Sequence, residues 1–314
     1  MKKGIVIKST GAWYRVRTAD GDIIDCRIVG KFRLDGLKLT NPVAVGDAVN
    51  FEIEAEGKGI IKKILDRDNY VVRQSPRQRH HVHLLASNVD QAAVIMTIVE
   101  PKLKQGFIDR FLLMTEPYDI PTCLVFNKAD LYDEEAMAIY RYLKDIYEGI
   151  GYKVLLVSAL EGDGRDAFKA FLKDKTTLIS GQSGVGKSSL VNSIQSQFEL
   201  RTTELSDYSG KGQHTTTFAE MFELDFGGSI IDTPGIKTLS FNNLEPMDVA
   251  HNFREFFEVA DECKFRGNCL HRDEPKCAVK NRLETGEISE LRYANYLTIL
   301  NEIEEQNYWE RHKM

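Results

Sequence analysis

Three short motifs occur in an order that restricts the fold of this chain more than any other feature of its sequence. First comes Asn127-Lys128-Ala129-Asp130, then Gly181-Gln182-Ser183-Gly184-Val185-Gly186-Lys187-Ser188, and last Asp232-Thr233-Pro234-Gly235. The second has the Gly-x4-Gly-Lys-Ser spacing of a phosphate-binding loop, which alone indicates only a nucleoside triphosphate. Together the three motifs predict guanine as the base. An ordinary GTPase has the phosphate loop first, so this order predicts a circularly permuted GTPase, opened after the Asp-Thr-Pro-Gly region.

The apolar pattern between residues 88 and 236 predicts an α/β domain. Strands alternate with amphipathic helices, which is typical of a mostly parallel sheet with helices on both faces. The predicted strands are 91–99, 121–126, 153–157, 176–179, 219–224 and 229–231, and the predicted helices are 105–118, 133–149, 165–172 and 187–195. The phosphate loop then lies between a strand and a helix, where its N–H groups meet phosphates. We assign residues 88–236 to a circularly permuted P-loop GTPase domain.

The phosphate loop and the last motif supply the predicted contacts to phosphate and magnesium. We expect Lys187 to reach the β and γ phosphates and Ser188 to offer its hydroxyl to Mg2+. Asp232 is expected to hold the outer shell of the ion, and Gly235 to donate its N–H to the γ phosphate. The full set of predicted contacts is Gly181, Ser183, Gly184, Val185, Gly186, Lys187, Ser188, Ser189, Asp232 and Gly235.

A second group of residues is predicted to recognise the base. Asn127-Lys128-Ala129-Asp130 follows an apolar strand and so lies at a carboxyl strand end, where such sheets bind ligands. In GTPases with this motif, the Asp carboxylate accepts hydrogen bonds from guanine N1 and N2. Adenine lacks this donor pair, so an unpaired Asp130 would disfavour ATP by several kcal/mol. Ser158-Ala159-Leu160 resembles the second base-contacting loop of the same proteins.

Hydrolysis is predicted from the segment between the phosphate loop and the last motif. Many GTPases place a Gln after Asp-x-x-Gly to orient water, whereas this chain has Ile236, which cannot hydrogen-bond water. His214 is the candidate for that task, and a His that contacts RNA or solvent is the alternative. One of Thr215 and Thr216 is expected to bond Mg2+ and the γ phosphate, with Thr216 placed beside Ser188 as a magnesium ligand. The predicted catalytic set is His214, Lys187, Thr215 and Thr216.

Five short strands separated by turn signals predict a small barrel over residues 1–68. They cover 3–9, 13–18, 23–29, 48–53 and 59–65. An OB-fold suits this pattern, and an SH3-like barrel fits almost as well. Residues 1–83 contain 16 Lys and Arg against 10 Asp and Glu, and the remainder contains 25 against 37. This asymmetry favours a basic module that binds a polyanion over a merely uneven surface.

Aromatic residues of the barrel have two possible roles. Trp13, Tyr14 and Phe32 either stack on nucleic acid beside neighbouring Arg and Lys residues or fill the barrel, and for any one of them filling is the more frequent outcome. The polar residues 69–87 that follow are predicted to be an exposed basic linker that lies along nucleic acid.

The C-terminal residues 237–314 are predicted to form a small helical domain around a metal. Cys263-x5-Cys269-x-His271-x5-Cys277 offers four soft ligands, the composition of a closed structural zinc site. A disulfide is disfavoured because cytoplasmic thiols stay reduced. Helices are predicted over 245–259 and 288–311, and Cys26 and Cys123 are interpreted as packing residues.

The absence of a long apolar run or a signal-peptide pattern predicts a cytoplasmic protein without a membrane segment, and we expect a monomer. The barrel, the permuted motifs and the Cys-x5-Cys-x-His-x5-Cys segment together resemble the RsgA/YjeQ family of bacterial ribosome GTPases.

This resemblance covers nearly the whole chain and implies an OB-fold, GTP/GDP, Mg2+ and one structural Zn2+. It also implies a GTPase that binds the 30S ribosomal subunit through rRNA, is stimulated by it and acts late in its maturation. A His before the threonine run is proposed to act in hydrolysis in that family, although Gln213 stands where the family usually has Arg. The alternative is a nucleotide-regulated RNA-binding assembly factor in which hydrolysis is not essential, and a metabolic kinase is disfavoured by the base motif.

Overall fold

The computed structural model describes residues 1–28, 42–54, 57–74, 82–195, 219–233 and 244–311. The N-terminal strands are β1 (Lys2–Ser9), β2 (Tyr14–Thr18), β3 (Ile23–Ile28), β4 (Ala48–Ile53) and β5 (Gly59–Ile64). β1 pairs with β2 and β4, β2 with β3, and β5 with both β3 and β4, so the five strands close into a ring. This ring confirms the predicted barrel and fits an OB-fold.

The barrel interior is apolar because alternate side chains of each strand point inward. It contains Val6, Tyr14, Val16, Cys26, Val43, Val49, Phe51 and Ile61. Tyr14 and Cys26 therefore fill the barrel, whereas Trp13 is 39% exposed. Phe32 lies outside the described residues.

Residues 69–87 differ from the predicted exposed linker. Strands β6 (Tyr70–Gln74) and β7 (Val82–Ser87) pair antiparallel as a separate two-stranded sheet. Val71 and Ala86 are fully buried in the main core, so the prediction of an exposed linker is wrong for these strands. The apolar residues that drive this pairing stand at both ends of the polar stretch, and its centre, 75–81, lies outside the described residues.

A buried ion pair joins the barrel to this hairpin. Arg67 contacts the fully buried Asp47 carboxylate at 2.6 Å, and the Ser87 hydroxyl donates to the same carboxylate at 2.6 Å. Because Asp47 precedes β4 and Ser87 ends β7, the contact fixes the barrel against the start of the next domain.

The strands of the GTPase sheet lie in the order that a circularly permuted GTPase predicts. Its strands are β8 (Gln91–Met96), β9 (Thr122–Phe126), β10 (Lys153–Leu156), β11 (Thr176–Gly181), β12 (Glu220–Glu223) and β13 (Ser229–Asp232). They lie in the order β10-β9-β8-β11-β13-β12, and every neighbouring pair is parallel except β12 with β13. The phosphate-loop strand β11 is therefore central, with strands that precede it in sequence on one side.

Helices cover both faces of this sheet, namely α1 (Phe107–Thr115), α2 (Glu134–Gly149), α3 (Arg165–Leu172) and α4 (Lys187–Ile194). β8 shows why both faces are covered, because Ala92, Val94 and Met96 belong to one core cluster and Ala93 and Ile95 to another. A strand buried on both faces is typical of parallel sheets. At the other edge, β12 pairs with β1 at Glu220 and Lys8, which continues the sheet into the barrel.

The C-terminal domain consists of α5 (Pro246–His251), α6 (Arg254–Phe257), α7 (Ala278–Glu284) and α8 (Glu290–Arg311). The single helix predicted over 245–259 is wrong, because the chain is extended at Phe253 between α5 and α6. Phe253 is buried, with its ring 5.2 Å from that of Tyr296 of α8. Packing against α8 thus overrides the helical pattern. Among the described residues, a helix with the length and apolarity of a membrane span does not occur.

Candidate nucleotide-binding site and metal centre

The parallel strands bring the predicted nucleotide motifs to one edge of the sheet. β9 leads into Asn127, β10 into Ser158, β11 into the phosphate loop, and β13 ends at Asp232. Since the strands are parallel, their carboxyl ends meet at the same edge. The structure therefore assembles these motifs into one site despite their order in sequence.

Close packing of the phosphate loop explains two of its glycines. A Cβ on Gly181 would lie 2.1 Å from the Ile95 carbonyl oxygen, and one on Gly186 would lie 2.5 Å from the Asn127 amide nitrogen. Both backbones approach their neighbours more closely than a side chain permits. The loop ends where α4 begins at Lys187, so the unpaired N–H groups of the first helical turn face the loop.

The Lys187 side chain bends back over the loop. Its Nζ donates to the carbonyl oxygens of Gly181 and Gln182 at 3.0 Å each. Burial lowers the pKa of Lys187, and the charge of Asp232 opposes that shift. Burial likewise raises the pKa of Asp232 to about 6, which the charge of Lys187 counters. The Lys187 ammonium and the start of α4 are suited to bind a phosphate, and the Asp232 carboxylate is suited to its magnesium ion.

Asn127 ties the three loops of the site together. It is fully buried, and its Nδ2 donates to the Val185 carbonyl of the phosphate loop at 2.9 Å. Its Oδ1 accepts from the Ala159 N–H at 3.2 Å. The base motif, the phosphate loop and the Ser-Ala-Leu segment are thus held by one amide, which makes Asn127 the centre of the site.

The Asp130 carboxylate is oriented by the Ser-Ala-Leu segment. The Ser158 hydroxyl donates to Asp130 Oδ1 and accepts from the Glu161 N–H at 3.0 Å. Within the part of the chain that the structure describes, the other Asp130 oxygen has no hydrogen-bond partner, as a carboxylate that accepts from guanine N1 and N2 requires. Lys128 has a left-handed φ of 64° and donates from Nζ to the Glu100 carbonyl at 2.7 Å. The sequence had given no signal for this contact.

The predicted switch residues His214, Thr215, Thr216, Gly235 and Ile236 lie outside the described residues. Their roles in hydrolysis and magnesium binding stay predictions. Ser183, Gly184, Ser188 and Ser189 lie in the phosphate loop and in the first turn of α4, as the motif requires, and their contacts to a nucleotide also stay predictions.

The metal centre brings the four predicted ligands together. The ligand atoms of Cys263, Cys269, His271 and Cys277 all lie within 4.8 Å of one another, and all four residues are buried. His271 Nδ1 lies 3.4 Å from Cys277 Sγ and 3.7 Å from Cys263 Sγ. Zn–S bonds of about 2.3 Å in a tetrahedron separate ligand atoms by about 3.5–3.8 Å, so these two separations and the Cys3His composition fit a zinc site.

The surroundings of this cluster also fit a cation. Burial lowers the pKa of His271 to about 4, which keeps the ring neutral and able to bind a metal. Burial raises the pKa of the Cys269 thiol to about 12, a shift that a bound cation reverses. The His271 loop is fixed from outside, since Tyr293 donates to the His271 carbonyl at 2.7 Å and the Glu274 carboxylate accepts from the Leu270 N–H at 2.8 Å.

A buried ion network that the sequence did not reveal joins the C-terminal domain, which we also call the metal domain, to the GTPase domain. Arg292 of α8 is 1% exposed and contacts Asp109 of α1 at 2.6 Å and Glu255 of α6 at 2.7 Å. The Tyr147 hydroxyl and the Asn295 amide donate to the same Asp109 carboxylate. From the sequence alone, Arg292, Asp109 and Glu255 would be interpreted as exposed charges on helix surfaces, because their partners are distant in sequence.

The permuted sheet with its three convergent loops defines a circularly permuted GTPase, carrying an N-terminal barrel and a C-terminal Cys3His metal-binding domain. The sequence model of the RsgA GTPase matches residues 64–242, and that of the RsgA N-terminal domain matches residues 3–61. The chain belongs to the RsgA family.

Curated relatives and solved structures agree over nearly the full length. The chain is 49% identical to the small ribosomal subunit biogenesis GTPase RsgA of Flavobacterium psychrophilum, covering 95% of this chain and 92% of the relative. It is 48% identical to the protein of that name in Christiangramia forsetii, covering 98% of each.

The structure of YjeQ from Thermotoga maritima superposes with a TM-score of 0.76 at 37% identity, covering 96% of this chain and 98% of the other. YloQ, described as a circularly permuted GTPase, gives a TM-score of 0.71 at 32% identity, covering 98% and 96%. The predicted family, fold and GTPase class are confirmed.

Proposed function

We propose that this protein hydrolyses GTP to GDP and phosphate during late maturation of the small ribosomal subunit, that it binds the 30S subunit through rRNA, and that the subunit stimulates turnover. The observation that carries the proposal is the full-length similarity to proteins named small ribosomal subunit biogenesis GTPase. The similarity spans the barrel, the permuted GTPase domain and the metal domain, so the whole architecture is shared. The protein acts in the cytoplasm, as a monomer.

In the reaction, water attacks the γ phosphorus and GDP leaves. Lys187 and the loop N–H groups bind the phosphates, and Ser188, Thr216 and Asp232 are the residues that would hold Mg2+, directly or through water. When bound, Mg2+ would supply positive charge that offsets the charge of the phosphates. Because Ile236 cannot orient water, His214 takes that role when the subunit fixes the switch.

The barrel offers a surface for single-stranded RNA. A cavity of about 380 Å³ is lined in part by Lys8, Trp13, Arg15 and Lys58. The Lys58 ammonium lies 5.5 Å from the centre of the Trp13 ring, and that ring is partly exposed. A ring beside cations stacks on a base while the cations contact phosphates. Glu220 and Asp25 pair with Lys8 and Arg15, so phosphate contacts there compete with existing ion pairs.

One structural Zn2+ would be held in the C-terminal domain by Cys263, Cys269, His271 and Cys277, and it would tie together the segments that carry these ligands. The second switch runs directly into this domain in the sequence, and the Arg292 network fastens the domain to α1. A change in the switches on GTP binding would therefore be transmitted to the C-terminal domain, which the Arg292 network fastens to the GTPase domain. The GTP state docks the protein on rRNA, and the GDP state releases it.

Steady-state GTP turnover with and without purified 30S subunits tests the proposal, with 50S subunits and Lys187→Ala as controls. We expect the 30S subunit to raise turnover at least tenfold, about 1.4 kcal/mol of barrier, and the 50S subunit to have little effect. A smaller rise would contradict the proposal. It would favour an RNA-binding assembly factor in which hydrolysis is not essential, a role that Ile236 favours for the isolated protein.

A further inference from the structure

Tyr132 connects the base motif to a second loop of the site. It follows the short turn Ala129–Leu131 that ends the base motif. Its hydroxyl accepts a hydrogen bond from the Ile98 N–H at 3.0 Å and donates one to the Asn127 carbonyl at 3.1 Å. One side chain therefore satisfies a backbone donor after β8 and a backbone acceptor after β9.

The loop that contains Ile98 also lies against the nucleotide site at two other points. We call residues 97–106, between β8 and α1, the β8–α1 segment. Its Glu100 carbonyl accepts from Lys128 Nζ, and its Pro101 ring lies 3.7 Å from where a Cβ on Gly184 of the phosphate loop would stand. The segment thus contacts the base motif and lies beside the phosphate loop.

The base motif needs such support because it leaves the sheet at Asn127. The Asn127 N–H donates to the Met96 carbonyl at 2.8 Å, which continues the pairing of β9 with β8. Beyond this point the backbone turns, with Lys128 in a left-handed conformation. The next hydrogen bond of a parallel ladder would join the Ile98 N–H to the Asn127 carbonyl, and here the Tyr132 hydroxyl lies between these two groups and bonds to both.

We propose that Tyr132 is a positioning residue for guanine recognition, which acts by fixing the Asn127 backbone to the β8–α1 segment and so setting where the Asp130 carboxylate meets the base. It does not touch the nucleotide. The inference rests on the guanine site of the proposed function. The phosphate loop also contacts the Lys187 side chain, which is independent of Tyr132, so we expect the main effect of Tyr132 at the base end of the site.

The test compares Tyr132→Phe with the wild type in calorimetric titrations of GTP and of inorganic tripolyphosphate. Tyr140→Phe is the matched control, since it removes the hydroxyl of a nearby buried tyrosine whose ring packs 5.3 Å from that of Phe126 of β9. We expect the Kd for GTP to rise about tenfold in Tyr132→Phe, from the loss of hydrogen bonds to two backbone groups. The Kd for tripolyphosphate should stay within twofold, and Tyr140→Phe should match the wild type for both ligands.

Two results would overturn the assignment. A GTP Kd within twofold of the wild type means that Tyr132 does not set base recognition. Equal weakening of GTP and tripolyphosphate, including by loss of the fold, means that the residue has only a general structural role. Failure of the guanine site itself is recognised separately, because the wild type would then bind ATP as tightly as GTP.

Discussion

Replacing Asn127 with Ala removes a side chain of the base motif that hydrogen-bonds to both the phosphate loop and the Ser-Ala-Leu segment. The Val185 carbonyl and the Ala159 N–H both lose their partner from this amide. A polar group left unpaired in a buried place costs about 1–3 kcal/mol, and we take about 1–1.5 kcal/mol for each of the two groups because Ala159 is only half-buried. The sum is about 2–3 kcal/mol, or roughly 30- to 150-fold in Kd.

Calorimetric titration of GTP and GDP in the presence of Mg2+ measures this effect. Asn252→Ala is the control, because it also removes one amide hydrogen bond, to the Asp248 carbonyl at 2.7 Å, but at the C-terminal end of α5 and away from the site. We expect Asn127→Ala to lose the stated affinity for both nucleotides and Asn252→Ala to keep it. Asn127→Ala with wild-type affinity would refute the argument that this amide holds the loops together.

Three further predictions concern stability, the metal and pH. Arg292→Met leaves two buried carboxylates without their cation and should lower the free energy of unfolding in urea by about 3–5 kcal/mol, whereas Arg282→Met on exposed pairs should hardly move the midpoint; equal shifts would argue against the buried network. Chelation should reduce helical circular dichroism and release one zinc per chain, because metal binding there contributes to folding; unchanged helicity after release would show that the domain folds without metal. Burial raises the pKa of Asp232 to about 6, so protonation as the pH falls from 7.5 to 5.5 should weaken the magnesium dependence of GTP affinity. Asp232→Asn should abolish that pH effect, and a magnesium dependence that is constant over this range would contradict it.

Much of the nucleotide site was predictable because its motifs depend on local chemistry. Gly181 and Gly186 lie where the backbone approaches a neighbour too closely for a Cβ. This requirement belongs to the loop itself, so a circular permutation of the chain does not change it. Parallel strands then bring the carboxyl ends together, so Asn127 meets Val185 although the two are far apart in sequence. The Cys and His ligands were predictable for the same reason, since their spacing is set by the metal.

Long-range contacts set the limits of that prediction. β6 and β7 pair across a polar stretch, and neither strand alone carries a signal for its partner. The break at Phe253 exists because this ring packs against α8, which helical periodicity does not show. Arg292 and Tyr132 act through partners on other elements, so they look like ordinary helix-surface and turn residues in the sequence.

The central claim is that loops brought together from a rotated chain order form one pocket that selects guanine. Parallel calorimetric titrations of the wild-type protein with GTP and with ATP, at equal Mg2+, test it most directly. The account predicts that GTP binds at least 100-fold more tightly, about 2.7 kcal/mol, because ATP leaves the Asp130 carboxylate without its donor pair. Equal affinities for the two nucleotides would contradict it.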